Sequence, residues 1–176
     1  PVGILLGLDL TLNPFMNTAA WKRVRSLPMA ERVAALRDPA VRAELIADGT
    51  SERDREKLAG GLVTKFEVLF EIGATPDYEP SLGDSIEARA RAAGVDPAEL
   101  ALDLLLDDDG RGMLYLPFLN YVDGGLEGTR EMLAHPNTVP GLGDGGAHVG
   151  TICDGSFPTT LLTHWGRDRP DGRFPL

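Results

Sequence analysis

One cysteine, three histidines and only 6% aromatic residues mark what this chain of 176 residues has little of. The lone Cys153 cannot close an internal disulfide, and that usage is compatible with the cytoplasm. Positive charge is short too: 17 Lys and Arg against 27 Asp and Glu leave a formal charge of −10. Such a balance argues against nucleic acid or an anionic membrane as a partner, because both would be repelled. No apolar run approaches the ~20 residues that cross a bilayer. The start has neither the basic region nor the apolar core of a signal peptide. It also lacks an initiator Met: Pro1 stands inside an apolar run, and the expectation is a piece cut from something longer. What the chain does have is 43% hydrophobic content, enough for a real core in one domain or at most two small ones.

Read in order, Gly3 to Leu10 is a strand or extended segment that Asn13-Pro14 stops. A short helix carrying Trp21 and Val24 fits between Pro14 and Pro28, and Met29, Val33 and Leu36 recur at helical spacing. Asp38-Pro39 has the form of a cap followed by proline at the first helical position, opening a helix with Val41, Leu45 and Ile46 inward. Ser51 to Ala59 reads as a charged, solvated helical turn, Leu62 to Ile72 as a strand, and Thr75 to Pro80 as a loop. Ser81 to Asp84 has capping-box spacing before a helix with Ile86, Ala90 and Ala93 on one face, ended by Gly94.

Asp96-Pro-Ala-Glu99 opens the strongest helix, which is apolar around most of its circumference and so must be buried on more than one side. Asp107-Asp-Asp-Gly110 ends it. The twelve-residue ligand spacing of a calcium loop is absent there, so a solvated turn is the better reading. Met113 to Leu119 is a strand with Pro117 marking an edge or bulge. A helix with Leu126, Arg130 and Leu133 on one face follows, and His135 caps its end. Thr138 to Leu142 then reads as a buried strand, making a βα unit of a parallel sheet. Ser156 would cap a last helix with Phe157, Leu161 and Trp165 packed, before an extended tail from Arg167.

The chemistry concentrates at Thr138-Val-Pro-Gly-Leu-Gly-Asp-Gly-Gly-Ala-His-Val149. A carboxylate among glycines at a strand's C-terminal end stands where parallel α/β enzymes place catalytic groups. The competing reading is a tight turn whose Asp bonds its own backbone. The run His135 to His148, continued by Gly150-Thr-Ile-Cys-Asp-Gly-Ser-Phe-Pro158 and Leu161-Leu-Thr-His-Trp165, resembles the C-terminal part of the amidohydrolase superfamily. It is most similar to the D-aminoacylase (N-acyl-D-amino-acid deacylase) branch. Pro1 to Leu10 with Asn13-Pro-Phe15 resembles the same branch, after its seventh barrel strand.

That resemblance implies an α/β fold: the last strands of a (β/α)8 barrel with a largely helical insertion, incomplete because a whole barrel needs ~250 residues. Its divisions would be 1–15, the end of a barrel strand and its loop; 16–110, a helical lid; and 111–176, the last βα units with the Asp loop. It implies amide hydrolysis by a metal-bound water, with Asp144 taking the water's proton and passing it to the leaving amine. His148 would contact substrate or orient Asp144, although a loop histidine is more often simply exposed.

Zinc is implied for the longer protein, and a small N-acyl amino acid as substrate. No zinc is expected to bind this piece, which has no His-x-His and no recognised ligand spacing and should be inactive alone. Unpartnered apolar strand faces point to a homo-oligomer. His164 beside Trp165 reads as a packing residue, Cys153 as a buried small residue, and Arg167 and Arg169 as surface cations that could instead pair with a substrate carboxylate. The contrasting expectation is a helical interaction or oligomerisation module without chemistry.

Overall fold

The computed structural model describes residues 2–49, 58–121, 123–141 and 157–175. Its elements in chain order are β1 (Val2–Gly7), α1 (Ala19–Val24), α2 (Met29–Arg37), α3 (Pro39–Gly49), α4 (Leu58–Val63), β2 (Phe70–Glu71), α5 (Ile86–Ala93), α6 (Pro97–Gly110), β3 (Met113–Leu119), α7 (Glu127–Ala134) and α8 (Phe157–Thr160). The last runs on as a π-helical segment, Leu161–Asp168, and single 3-10 turns stand at Phe66–Val68 and Leu82–Asp84. The architecture is mixed α/β, mostly helical, with one three-stranded sheet in the order β1-β3-β2.

The core is organised around α6. Asp96 accepts a hydrogen bond from the Ala98 N–H at 2.7 Å, and Pro97 fills the first turn, where no N–H is missed. Ala98, Ala101, Leu102, Leu104, Leu105 and Leu106 are all buried, so the helix packs on several sides, as its sequence requires. Each of those leucines contributes roughly 1.5–3 kcal/mol by leaving water. Regular helix stops after Leu106: Asp107 is extended, and Asp108 and Asp109 take left-handed conformations. The chain then doubles back tightly at Gly112, where a Cβ would lie 1.8 Å from the Leu104 carbonyl oxygen. One apolar cluster joins Ile4, Leu6 and Leu8 to Trp21, Leu36 and Leu45, to Leu102 and Leu105, and to Leu114 and Leu116. It draws on all three stretches into which the resemblance divides the chain.

Several local expectations hold. Trp21 and Val24 on α1, Val33 and Leu36 on α2 and Leu45 on α3 are buried. Asp38 accepts from the Ala40 and Val41 N–H groups, and Gly94 ends α5 at a φ of 70°. Pro117 pairs with Gly3 beside a register shift between Val2 and Gly3. Although β3 is the central strand, β2 reaches only Leu114 and Tyr115, so the missing N–H of Pro117 interrupts no ladder on that side.

Other expectations are corrected. Both strand pairings are antiparallel, and no parallel pairing occurs among the described residues. Thr138 to Gly141 is not a strand, and Val139 is 88% exposed, so the βα unit read there is absent over those residues. Apolar content alone, between Pro and Gly, supplied no partner strand. Leu62 to Ile72 is mostly helical turns with strand only at Phe70–Glu71. Val63, Phe66 and Phe70, three and four positions apart, are buried together with Thr64 and Leu69, a pattern that does not alternate as a strand with one buried face would. Ser85, not Ser81, caps α5 by accepting from the Ala88 N–H, and Ala93 is exposed. Of Ser51 to Ala59, only Leu58 and Ala59 are described, and they belong to α4. Ser156 lies outside the described residues. Arg167 and Asp168 close the π-helical segment, and the described tail from Arg169 is neither helix nor strand.

Candidate functional site

Asp144, His148 and Cys153 lie outside the described residues. Their flanks are described, and a polar cluster ties those flanks together. Glu79 stands at its centre, on the loop before α5. One carboxylate oxygen accepts from Arg169 Nε at 2.8 Å; the other accepts from Arg169 Nη2 at 3.0 Å and from the Leu126 N–H at 2.8 Å. Arg169 Nη2 also donates to Glu127 at 3.1 Å, and Arg130 donates to the other oxygen of Glu127. The guanidinium lies over the Trp165 ring, 5.0 Å from its centroid. With its side chain only 9% exposed, Arg169 is a buried clamp, which corrects the surface role read for it. Arg167 is a surface cation as expected, paired with the adjacent Asp168.

Burial raises the Glu79 carboxyl, but the Arg169 guanidinium and the Leu126 N–H outweigh it and hold the group below the ordinary carboxylate value. Arg169 is raised in turn, chiefly by its bond to Glu79. His164 packs edge-on against Trp165, as its sequence context indicates, with ring centroids 5.1 Å apart. Its Nε2 lies 3.3 Å from Glu79 Oε2, in ion-pair range but without hydrogen-bond alignment. Burial pushes this imidazole below its ordinary value against the pull of Glu79, which favours the neutral ring. Tyr121 donates to the Pro80 carbonyl, and burial, with Asp77, Glu79 and Asp84 nearby, pushes its phenol up to about 12. His135 ends α7, and its Nδ1 accepts from the Asn137 N–H at 3.2 Å.

A cleft of about 500 Å³ opens between the Thr75–Glu79 loop and the His164–Asp171 stretch. Its chemistry is that of a latch: Arg169 is committed to two carboxylates, and His164, its pKa lowered by burial, is the imidazole beside them. The latch matters by position. Glu127 belongs to α7, before the stretch that carries Asp144, and Arg169 follows it, so both flanks are bonded to each other and to Glu79. Sequence reading missed Glu79, since a single acid between Tyr78 and Pro80 has no periodicity or motif to mark it. Asn13, part of the resemblance, is buried; its Oδ1 accepts from the Phe15 N–H at 3.0 Å, and its Nδ2 finds no partner.

Among the described residues no three His, Cys, Asp or Glu side chains come together as a metal site. No helix among them is long and apolar enough to cross a membrane. Comparison with protein-family models, curated proteins and solved structures returns no match for this chain.

Proposed function

We propose that the chain is part of a metal-dependent amidohydrolase of the N-acyl-D-amino-acid deacylase type, acting on the amide bond of a small N-acyl amino acid or a related C–N bond. The observation that carries the reading is the run from His135 to His148 with its continuation to Trp165, in which Asp144 stands between glycines where that branch keeps its proton-transferring aspartate. Asp144 would accept a proton from the attacking water and return it to the departing amine, and His148 would contact substrate. The partial (β/α)8 barrel, the lid over 16–110, a homo-oligomeric cytoplasmic protein and zinc in the longer protein belong to the same reading. The described residues do not form a zinc cage, so none of them is assigned to hold the metal. The Glu79–Arg169–Glu127 linkage joins α7, which precedes the stretch bearing Asp144, to the segment that follows it.

The test uses the longer protein with zinc. The wild type should hydrolyse N-acyl-D-amino acids, and Asp144→Ala should lose roughly 10²–10⁴ in rate, the usual worth of a general acid–base group. Retained turnover in the variant removes Asp144 from the mechanism, and an inactive wild type removes the hydrolase. A second reading, the non-catalytic oligomerisation module, is favoured by the exposure of Met132, Val139 and Leu162. A stable oligomer by light scattering together with no hydrolysis would select it.

A further inference from the structure

A separate cleft of about 580 Å³ lies between the turn after β1 and α1. Its charge runs against that of the chain: Lys22, Arg25 and Arg32 line it with one carboxylate, Asp9, in a protein of formal charge −10. Lys22 and Arg25 form no ion pair among the described residues. Arg32 is set differently. Its side chain is 11% exposed, and its fork donates to the carbonyls of Leu8, Arg25 and Leu27. Two of those carbonyls lie at and just beyond the end of α1, whose partial negative charge would otherwise repel an anion. The buried Nε of Arg32 is left without a partner, and its guanidinium lies 5.7 Å from the Trp21 ring centroid. Asp9 approaches Arg32 only to 4.0 Å and is otherwise exposed. Leu10 and Met16 supply an apolar wall beside these cations.

We propose that this cleft binds a small amphiphilic anion: an oxyanion headgroup, carboxylate or phosphate monoester, on a short apolar body. The cations Lys22 and Arg25 hold the headgroup, Arg32 cancels the carbonyl dipoles behind it, and the apolar wall takes the body. The cleft is larger than a bare oxyanion needs, and Leu10 and Met16 give such an ion nothing to contact. This inference stands apart from the hydrolase reading, since none of its residues is assigned to that chemistry.

The test is a titration of the full chain, followed by amide chemical shifts and calorimetry, with hexanoate, hexyl phosphate and hexanol as probes. At least one anion should bind with shifts at Leu10, Lys22 and Arg25, and the neutral alcohol should bind at least about tenfold more weakly. Binding should weaken as salt rises from about 50 mM to about 500 mM. Whichever anion binds more tightly identifies the headgroup. The Lys22→Ala/Arg25→Ala variant, altered only at exposed positions, should keep its melting temperature and lose about tenfold in affinity, while Lys22→Arg/Arg25→Lys should retain it. Equal binding of hexanol, unchanged affinity in the alanine variant, shifts confined to other surfaces, or no binding of either anion would each overturn the proposal. None of these outcomes depends on the hydrolysis assay.

Discussion

Replacing Glu79 by Gln removes one negative charge from the latch while keeping the side chain's shape. It leaves Arg169, 9% exposed at its side chain, with a single carboxylate partner, Glu127, which is itself 57% exposed. Stranding one partner of a fully buried ion pair costs ~3–5 kcal/mol. Two features of this cluster reduce that: Glu127 remains as counter-ion, and the Gln carbonyl still accepts from Arg169 or from the Leu126 N–H. About 2 kcal/mol is therefore expected, which for a chain of this size lowers Tm by about 4–8 °C. Urea and thermal unfolding measure it against Glu71→Gln, which breaks the exposed 2.8 Å pair with Arg89 and should cost less than about 1 kcal/mol. The pH dependence has a fixed sign. The folded-state pKa of Glu79 is depressed, so its contribution is present above the ordinary value of 4.5 and is lost as pH falls through the folded value. The difference between wild type and Glu79→Gln should close in that acid range. A Glu79→Gln variant no less stable than Glu71→Gln, or a difference independent of pH, would refute the argument that this pair is a buried clamp.

Two further outcomes follow from the same reasoning. Burial lowers the His164 pKa, so the unfolded chain binds the proton first and stability should decline as pH falls below about 6.5 toward the folded value. His164→Gln should flatten that decline, and an unchanged slope in stability-versus-pH curves would remove His164 as its source. Gly112→Ala drives a Cβ to 1.8 Å from a backbone oxygen that cannot rotate away, and at least about 3 kcal/mol should be lost. Gly128→Ala on α7 meets nothing within 4 Å and should be neutral or gain up to about 1 kcal/mol in helix propensity. Equal urea midpoints for the two glycine variants would contradict the close approach at Gly112.

Much of the local structure could be read directly. Asp38-Pro39 and Asp96-Pro97 open helices because a cap and a proline act within one turn, and Gly94 ends one because only a residue without Cβ adopts its φ at no cost. The apolar circumference of α6 announced its central burial. For the Thr138 segment and the sheet, the deciding partner was distant in sequence. Thr138 to Gly141 had the composition of a strand, but a strand exists only when another pairs with it, and among the described residues none does. The direction of the sheet was equally hidden: that β1 and β3 run antiparallel depends on how the intervening helices return the chain.

The candidate chemistry divides along the same line. Asp144 and His148 are marked by neighbours adjacent in sequence, and that local pattern is the whole of their case. Glu79 and Arg169 carry no such mark; they meet across 90 positions, and a tail that reads as solvated becomes a buried anchor because Trp165 and two carboxylates receive it. The Asp38 and Asp96 caps and the Gly94 stop were therefore determined by the sequence alone, since each is settled by forces acting within a few residues. Strand pairing, the buried latch and the cationic cleft were decided only by the tertiary structure, because burial and charge pairing depend on which distant groups exclude water from one another.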